Sequence, residues 1–370
     1  MHTKRDLLSL TGIRFFAALM IFVFHFPFPN LPQTLNYITR TWCCGVAFFF
    51  ILSGFVLTYN YYEDFKILSK KTCWVYFVAR FARIYPLYFI VMLFCWLKAG
   101  SSVSFMPYLL GIQAWTLNYK TISAIDAPAW SISVEFFLYF MFPLLAVSAS
   151  KMKLEQNFKK LVGAFLLLVA ILFLLPTYFN LTAKTFLPVT DYRSVFLWIN
   201  FFPPARLLDF SLGIISGLSF LYYPQKFKFS LVHWSIVTYA SCLIIIAIMA
   251  TFEYYWSAYN IDAFYAVPFF FLLLGLCMNP KTLLAKFLSL RHILILGEIS
   301  YAFYLLHYPI ASVMLTSNAT WVLEVLCYLG CLLIIICLSY GFHRLIEIPA
   351  RTFIRHIPVG FQELQRKRLC

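Results

Sequence analysis

Apolar residues run along this chain in long blocks, separated by short segments that collect its lysines, arginines and prolines. A helix needs about 20 apolar residues to cross the hydrocarbon core of a bilayer, so each block predicts one crossing. The blocks lie near 8–26, 42–61, 84–97, 128–147, 161–179, 203–221, 231–250, 262–278, 293–315 and 321–343. The apolar piece at 103–115 is shorter and carries Pro107 and Gly111. It reads as a re-entrant or interfacial segment, because a crossing there would carry the loop of Lys151, Lys153, Lys159 and Lys160 to the outer side. The expected fold class is an all-α polytopic membrane protein of about ten transmembrane helices with both termini cytoplasmic. One domain is expected over 1–370, with spans over about 8–345 and a basic cytoplasmic tail at 346–370.

Composition narrows the class. Of 370 residues, 62% are hydrophobic and 12% charged, and the mean hydropathy is +0.82, which leaves no room for a soluble second domain. The net charge of +15 does not read as a nucleic-acid surface, because the basic residues sit in short loops. With cytoplasmic termini, only Arg40, Lys98, Lys120, Lys184, Arg193 and Arg206 of the 29 lysines and arginines fall outside, as the positive-inside rule expects. The partner expected from composition is therefore the lipid bilayer and not nucleic acid, and some of the basic residues could also meet anionic lipid or a phosphorylated ligand. The ten cysteines are scattered without a C-x-x-C pair, so neither metal nor disulfides are expected. There is no Walker motif, no G-x-G-x-x-G and no inverted repeat. Arg14 interrupts the apolar core of the N-terminal segment and no cleavage site follows, so the segment reads as an uncleaved first span.

Ionisable residues inside apolar blocks are costly and mark candidate sites. Arg14 and His25 share one face of the first block, with His25 about 16 Å further along the helix. Arg80 and Arg83, three apart, suit a phosphate clamp but equally a positive-inside anchor. In PAWSISVEFF, Ser131 and Glu135 share a face. The carboxylate needs a partner: it could orient His25 in a catalytic pair or close an ordinary ion pair with an arginine. GEISYAFYLLHYPI sets Ser300, Tyr304 and His307 on one stripe and Tyr301 and Tyr308 on another, a hydrogen-bonding wall or simply packed aromatics. Arg206 with Asp209, and Glu347 with Arg344 or Arg351, read mainly as structural pairs, although the first could also meet an acceptor sugar.

Together these motifs resemble the acyltransferase 3 family. They are Arg14 with ten residues before His25, Ser53-Gly54-Phe55, Arg80-x-x-Arg83, Trp130-Ser-x-Ser-x-Glu135, Gly297-x-x-Ser-Tyr-x-x-Tyr-Leu-x-His307 and Ile346-Glu347-x-Pro349. The resemblance runs end to end and implies an integral membrane enzyme, an O-acetyltransferase. Its donor would be acyl-CoA, usually acetyl-CoA, on the cytoplasmic side. Its acceptor would be a hydroxyl of a cell-surface glycan such as O-antigen, capsule or exopolysaccharide, and its location the bacterial cytoplasmic (inner) membrane. It further implies His25 as catalytic base or acyl carrier, and Arg14, Arg80 and Arg83 as cofactor-binding residues for the CoA phosphates. Glu135 would orient His25 or bind the acceptor. Ser53, Ser131, Tyr301, Tyr304 and His307 would line the substrate pocket. Two other readings compete: acylation of a small molecule or a lipid-linked oligosaccharide, and a glycan or lipid flippase without covalent chemistry.

Overall fold

The computed structural model describes residues 7–28, 32–100, 103–182, 187–188, 190–224, 226, 230–251, 263–315 and 321–356. All regular structure among them is helical. Ten helices follow the ten apolar blocks: α1 (Leu8–His25), α2 (Gly45–Tyr61), α3 (Lys70–Ala99), α4 (Trp130–Lys151), α5 (Phe158–Leu181), α6 (Pro203–Tyr222), α7 (Leu231–Ala250), α8 (Ala263–Met278), α9 (Ser300–Met314) and α10 (Trp321–Phe342). Among the described residues, eight helices are long and apolar enough to cross a bilayer, and a ninth span forms if α9 is joined to the short helix Arg291–Glu298, which meets it at a 62° bend. The ninth block is thus a broken helix, while α8, at 16 residues, is the short apolar one. The protein is an integral membrane protein.

Two blocks differ from their expected outlines. α3 begins at Lys70, 30 residues in one helix, where the apolar pattern alone placed its start at 84. Ser69 caps it by accepting the Thr72 amide at 3.0 Å, and no glycine or proline interrupts 70–85, so the basic residues continue the helix. Arg80 and Arg83 therefore project from a rigid helix and not from a loop. The 103–115 piece forms only one helical turn (Met106–Leu109) and the start of a 3-10 turn at Gln113–Thr116, too little to cross. Of the expected tail, Ile348–His356 is a helix packed against α3. Residues 357–370 lie outside the described ones, as do Lys184 and Asp262.

The packing explains two motif glycines. A Cβ on Gly54 would strike the Phe210 carbonyl, and one on Gly213 the Ile51 carbonyl, so α2 and α6 cross backbone to backbone. Gly297 meets the Thr11 carbonyl in the same way, which seats the bent pair against the start of α1. Tyr62 joins the loop after α2 to Glu155 between α4 and α5 (2.9 Å), and Tyr223 joins the end of α6 to the Leu154 carbonyl (2.6 Å), which gathers Lys66 and the helix-end lysines Lys70, Lys151 and Lys159 on one face. α1 runs from Leu8 to His25.

Candidate active site

A cleft with a cavity volume of about 100 Å³ opens among α1, α2, α3, α4 and α9. Arg14, Arg80, Arg83, Glu135, Ser53, Ser131, Tyr301 and Tyr304 all line it. Residues up to 290 positions apart in sequence, on five helices, thus meet in one cleft.

The arginines are not equivalent. Arg80 is buried; its Nη2 donates to the Tyr61 hydroxyl at 2.9 Å, and its guanidinium lies 5.1 Å from the Tyr61 ring and 5.7 Å from the Tyr139 ring. Arg14 and Arg83 make no hydrogen bond or ion pair with any described residue. Glu135, the only carboxylate among the described lining residues, accepts a 2.5 Å bond from the Tyr139 hydroxyl and sits in the combined field of Arg83, Arg80 and Arg14. Three guanidiniums against one carboxylate leave an excess of positive charge inside an apolar bundle. Such an excess is stable only with an anion or water to compensate it. This arrangement corrects one expectation: Glu135 does not orient His25, because it lies a full turn closer to the basic face than Ser131 and belongs to the arginine cluster.

At its far end the cleft closes on Tyr304. Its hydroxyl donates to the Pro128 carbonyl at 2.9 Å, and the Ser131 hydroxyl lies 2.7 Å away. The Tyr301 hydroxyl donates to the Ile84 carbonyl at 2.7 Å, pinning α9 to α3. One turn beyond Tyr304 stands His307, wholly buried, with its Nε2 3.1 Å from His25 Nδ1. The expectation that His307 lines the pocket fails for this reason. The helical stripe that carries Ser300, Tyr304 and His307 climbs about 1.5 Å per residue and runs past the end of the cleft, which Ser300 and Tyr304 line and His307 does not. His25 likewise lies beyond Tyr304, against His307 and Tyr308, not among the lining residues.

Sequence reasoning missed Tyr61, Tyr139 and Asp126. Tyr139 was readable, since it stands one turn from Glu135 on α4. Asp126, in the loop before α4, is buried with neither carboxylate oxygen hydrogen-bonded, and burial holds its carboxyl well above the usual range. The pair at the other end of α6 is as expected: Arg206 and Asp209 meet at 3.1 Å, both buried, with the Arg206 Nε also donating to the Asn200 carbonyl at 2.8 Å. Glu347 pairs with Arg351 (3.8 Å) and also with His343 (3.0 Å), whereas Arg344 turns to Tyr340.

The family model for the acyltransferase domain matches residues 7–344. The chain belongs to the acyltransferase 3 family. Among its relatives, acyltransferase MdmB of Streptomyces mycarofaciens is 28% identical over 322 residues, covering 82% of this chain and 78% of that protein. O-acetyltransferase OatA of Staphylococcus aureus is 24% identical over 380 residues, covering 95% of this chain but 58% of its own length. No solved structure matches the chain. Family membership makes the chain a membrane acyltransferase and removes the flippase reading. All five helices that build the cleft lie within the matched stretch.

Proposed function

We propose that this acyltransferase moves an acetyl group from acetyl-CoA at the cytoplasmic face to a hydroxyl of a surface polysaccharide sugar. The observation that carries the reading is the pair of guanidiniums, Arg14 and Arg83, that bond to no described residue and stand beside Arg80 in a cleft lined also by Glu135 and Tyr304. Guanidiniums bind phosphate bidentately, and the CoA phosphates are the anions that a cytoplasmic acyl donor brings. The basic face is cytoplasmic by the positive-inside rule, which suits the bacterial inner membrane. The climb from Arg14 to His25, about 16 Å along α1, covers roughly half of a ~30 Å hydrocarbon layer. A pantetheine arm that displaces the Tyr304 closure then brings its thioester to His25.

In the transfer, His25 Nε2 takes the proton of the acceptor hydroxyl as that oxygen bonds to the thioester carbonyl carbon. The tetrahedral intermediate collapses by breaking the C–S bond. The sulfur leaves with the electron pair and recovers the proton from His25, giving the ester and CoA thiol. Chemistry and geometry are the same for a small-molecule or lipid-linked acceptor. OatA, an O-acetyltransferase by name, supports an acetyl donor and an oxygen acceptor.

Mass spectrometry of surface glycans tests the reading in cells that carry the gene, lack it, or carry His25→Ala. Acetyl groups are expected in the first and absent from the other two. Purified protein is expected to release CoA from acetyl-CoA. Unchanged glycans in all three strains, with no CoA release, would sink it.

A further inference from the structure

We propose that His307 is a positioning residue that fixes His25 as its Nδ1–H tautomer and leaves the His25 Nε2 lone pair free for the acceptor hydroxyl; this rests on the transfer reading above. The argument is a chain of hydrogen bonds with one allowed direction. His307 Nδ1 lies 2.6 Å from the Tyr304 carbonyl oxygen. A carbonyl only accepts, so His307 Nδ1 carries the proton. In a neutral imidazole the other nitrogen is then bare, and His307 Nε2 is an acceptor. It faces His25 Nδ1 at 3.1 Å, and two bare nitrogens would repel, so His25 Nδ1 must donate. The remaining nitrogen of His25, Nε2, is thereby unprotonated.

Packing holds this direction in place. His307 is fully buried and stacks on Phe303, with ring centroids 6.4 Å apart and an 11° interplanar angle. Phe22 closes its edge at 6.3 Å. The ring cannot turn its other nitrogen toward His25 without losing the carbonyl bond or displacing both aromatics. The orienting group is thus neutral where serine hydrolases use a carboxylate, and no fixed negative charge has to be held at membrane depth. When His25 takes up the acceptor's proton on Nε2, the bond from its Nδ1 to His307 strengthens and stabilises the imidazolium through the transition state.

The test compares His307→Leu, His307→Asn and His307→Gln with wild type and His25→Ala. The enzyme is reconstituted in proteoliposomes with glycolipid extract from the producing cells, and CoA release from acetyl-CoA is followed. His307→Leu is expected to lose about 10²-fold or more in kcat, with KM for acetyl-CoA unchanged within about twofold. The Gln side chain reaches the position of the imidazole Nε2 with an acceptor oxygen, whereas Asn stops at the position of Nδ1. Gln is therefore expected to recover roughly tenfold or more over Leu, and Asn to recover nothing. Gln and Asn alone decide the question if the Leu variant does not fold. The proposal is overturned if His25→Ala is inactive while His307→Leu or His307→Asn keeps wild-type kcat. It is equally overturned if Gln and Asn are alike, or if the loss falls on KM. An active His25→Ala enzyme would instead remove the transfer reading itself.

Discussion

Replacing Arg83 by Gln isolates the role of the cleft, because the Arg83 guanidinium makes no hydrogen bond or ion pair with any described residue. Its neighbours are two more guanidiniums, Arg14 and Arg80, and the one carboxylate in reach, Glu135, is already engaged by Tyr139. In the empty protein, removing one of three like charges relieves repulsion, so the melting temperature should stay level or rise. With an anion bound the sign reverses. Two unit charges 4 Å apart attract by about 4 kcal/mol at an effective dielectric constant of about 20, and desolvation cancels part of this. Hydrogen bonds to charged groups retain about 1.5–3 kcal/mol net, which is roughly a 10- to 150-fold rise in Kd at 1.4 kcal/mol per tenfold. Calorimetric titration in nanodiscs should therefore show weaker acetyl-CoA binding by Arg83→Gln, more so at low salt. Acetyl-pantetheine, which lacks the phosphates, should bind both proteins alike. Equal losses for the two ligands, or none for either, would refute phosphate recognition. A melting temperature several degrees lower in the empty protein would show that Arg83 is a structural anchor.

Arg206→Leu alone strands the buried Asp209 carboxylate and should cost about 3–5 kcal/mol of stability, seen as a lower melting temperature in detergent. Adding Asp209→Leu should restore most of it; a double variant as unstable as the single one would mean that the Arg206 bond to the Asn200 carbonyl, not the ion pair, holds that end of α6. Asp126 gives a pH signature. Its carboxyl is raised well above 3.8 by burial, so the stability it contributes is complete below that value and declines as pH rises through the folded-state value. Asp126→Asn should accordingly flatten the fall in melting temperature between pH 3.8 and the folded-state value, and an unchanged pH profile would show that Asp126 is compensated in the protein.

Much of this architecture is a one-dimensional consequence of the bilayer. A span must satisfy its own backbone and present about 20 apolar residues, so hydropathy alone located ten helices, and the spacing of ionisable residues marked Arg14, Arg80, Arg83, Glu135 and His25. Helical periodicity relates residues within one helix. It carries no information about which neighbouring face each one meets. Whether Glu135 turned to His25 or to the arginines depended on the depth at which α4 packs against α1 and α3. Whether His307 entered the cleft depended on where Tyr304 and Ser131 close it. The pairing of His25 with His307, 282 positions away, is likewise a product of the contact between α1 and α9. Buried polar groups must find partners, but only the packed bundle decides which partners stand within hydrogen-bonding reach.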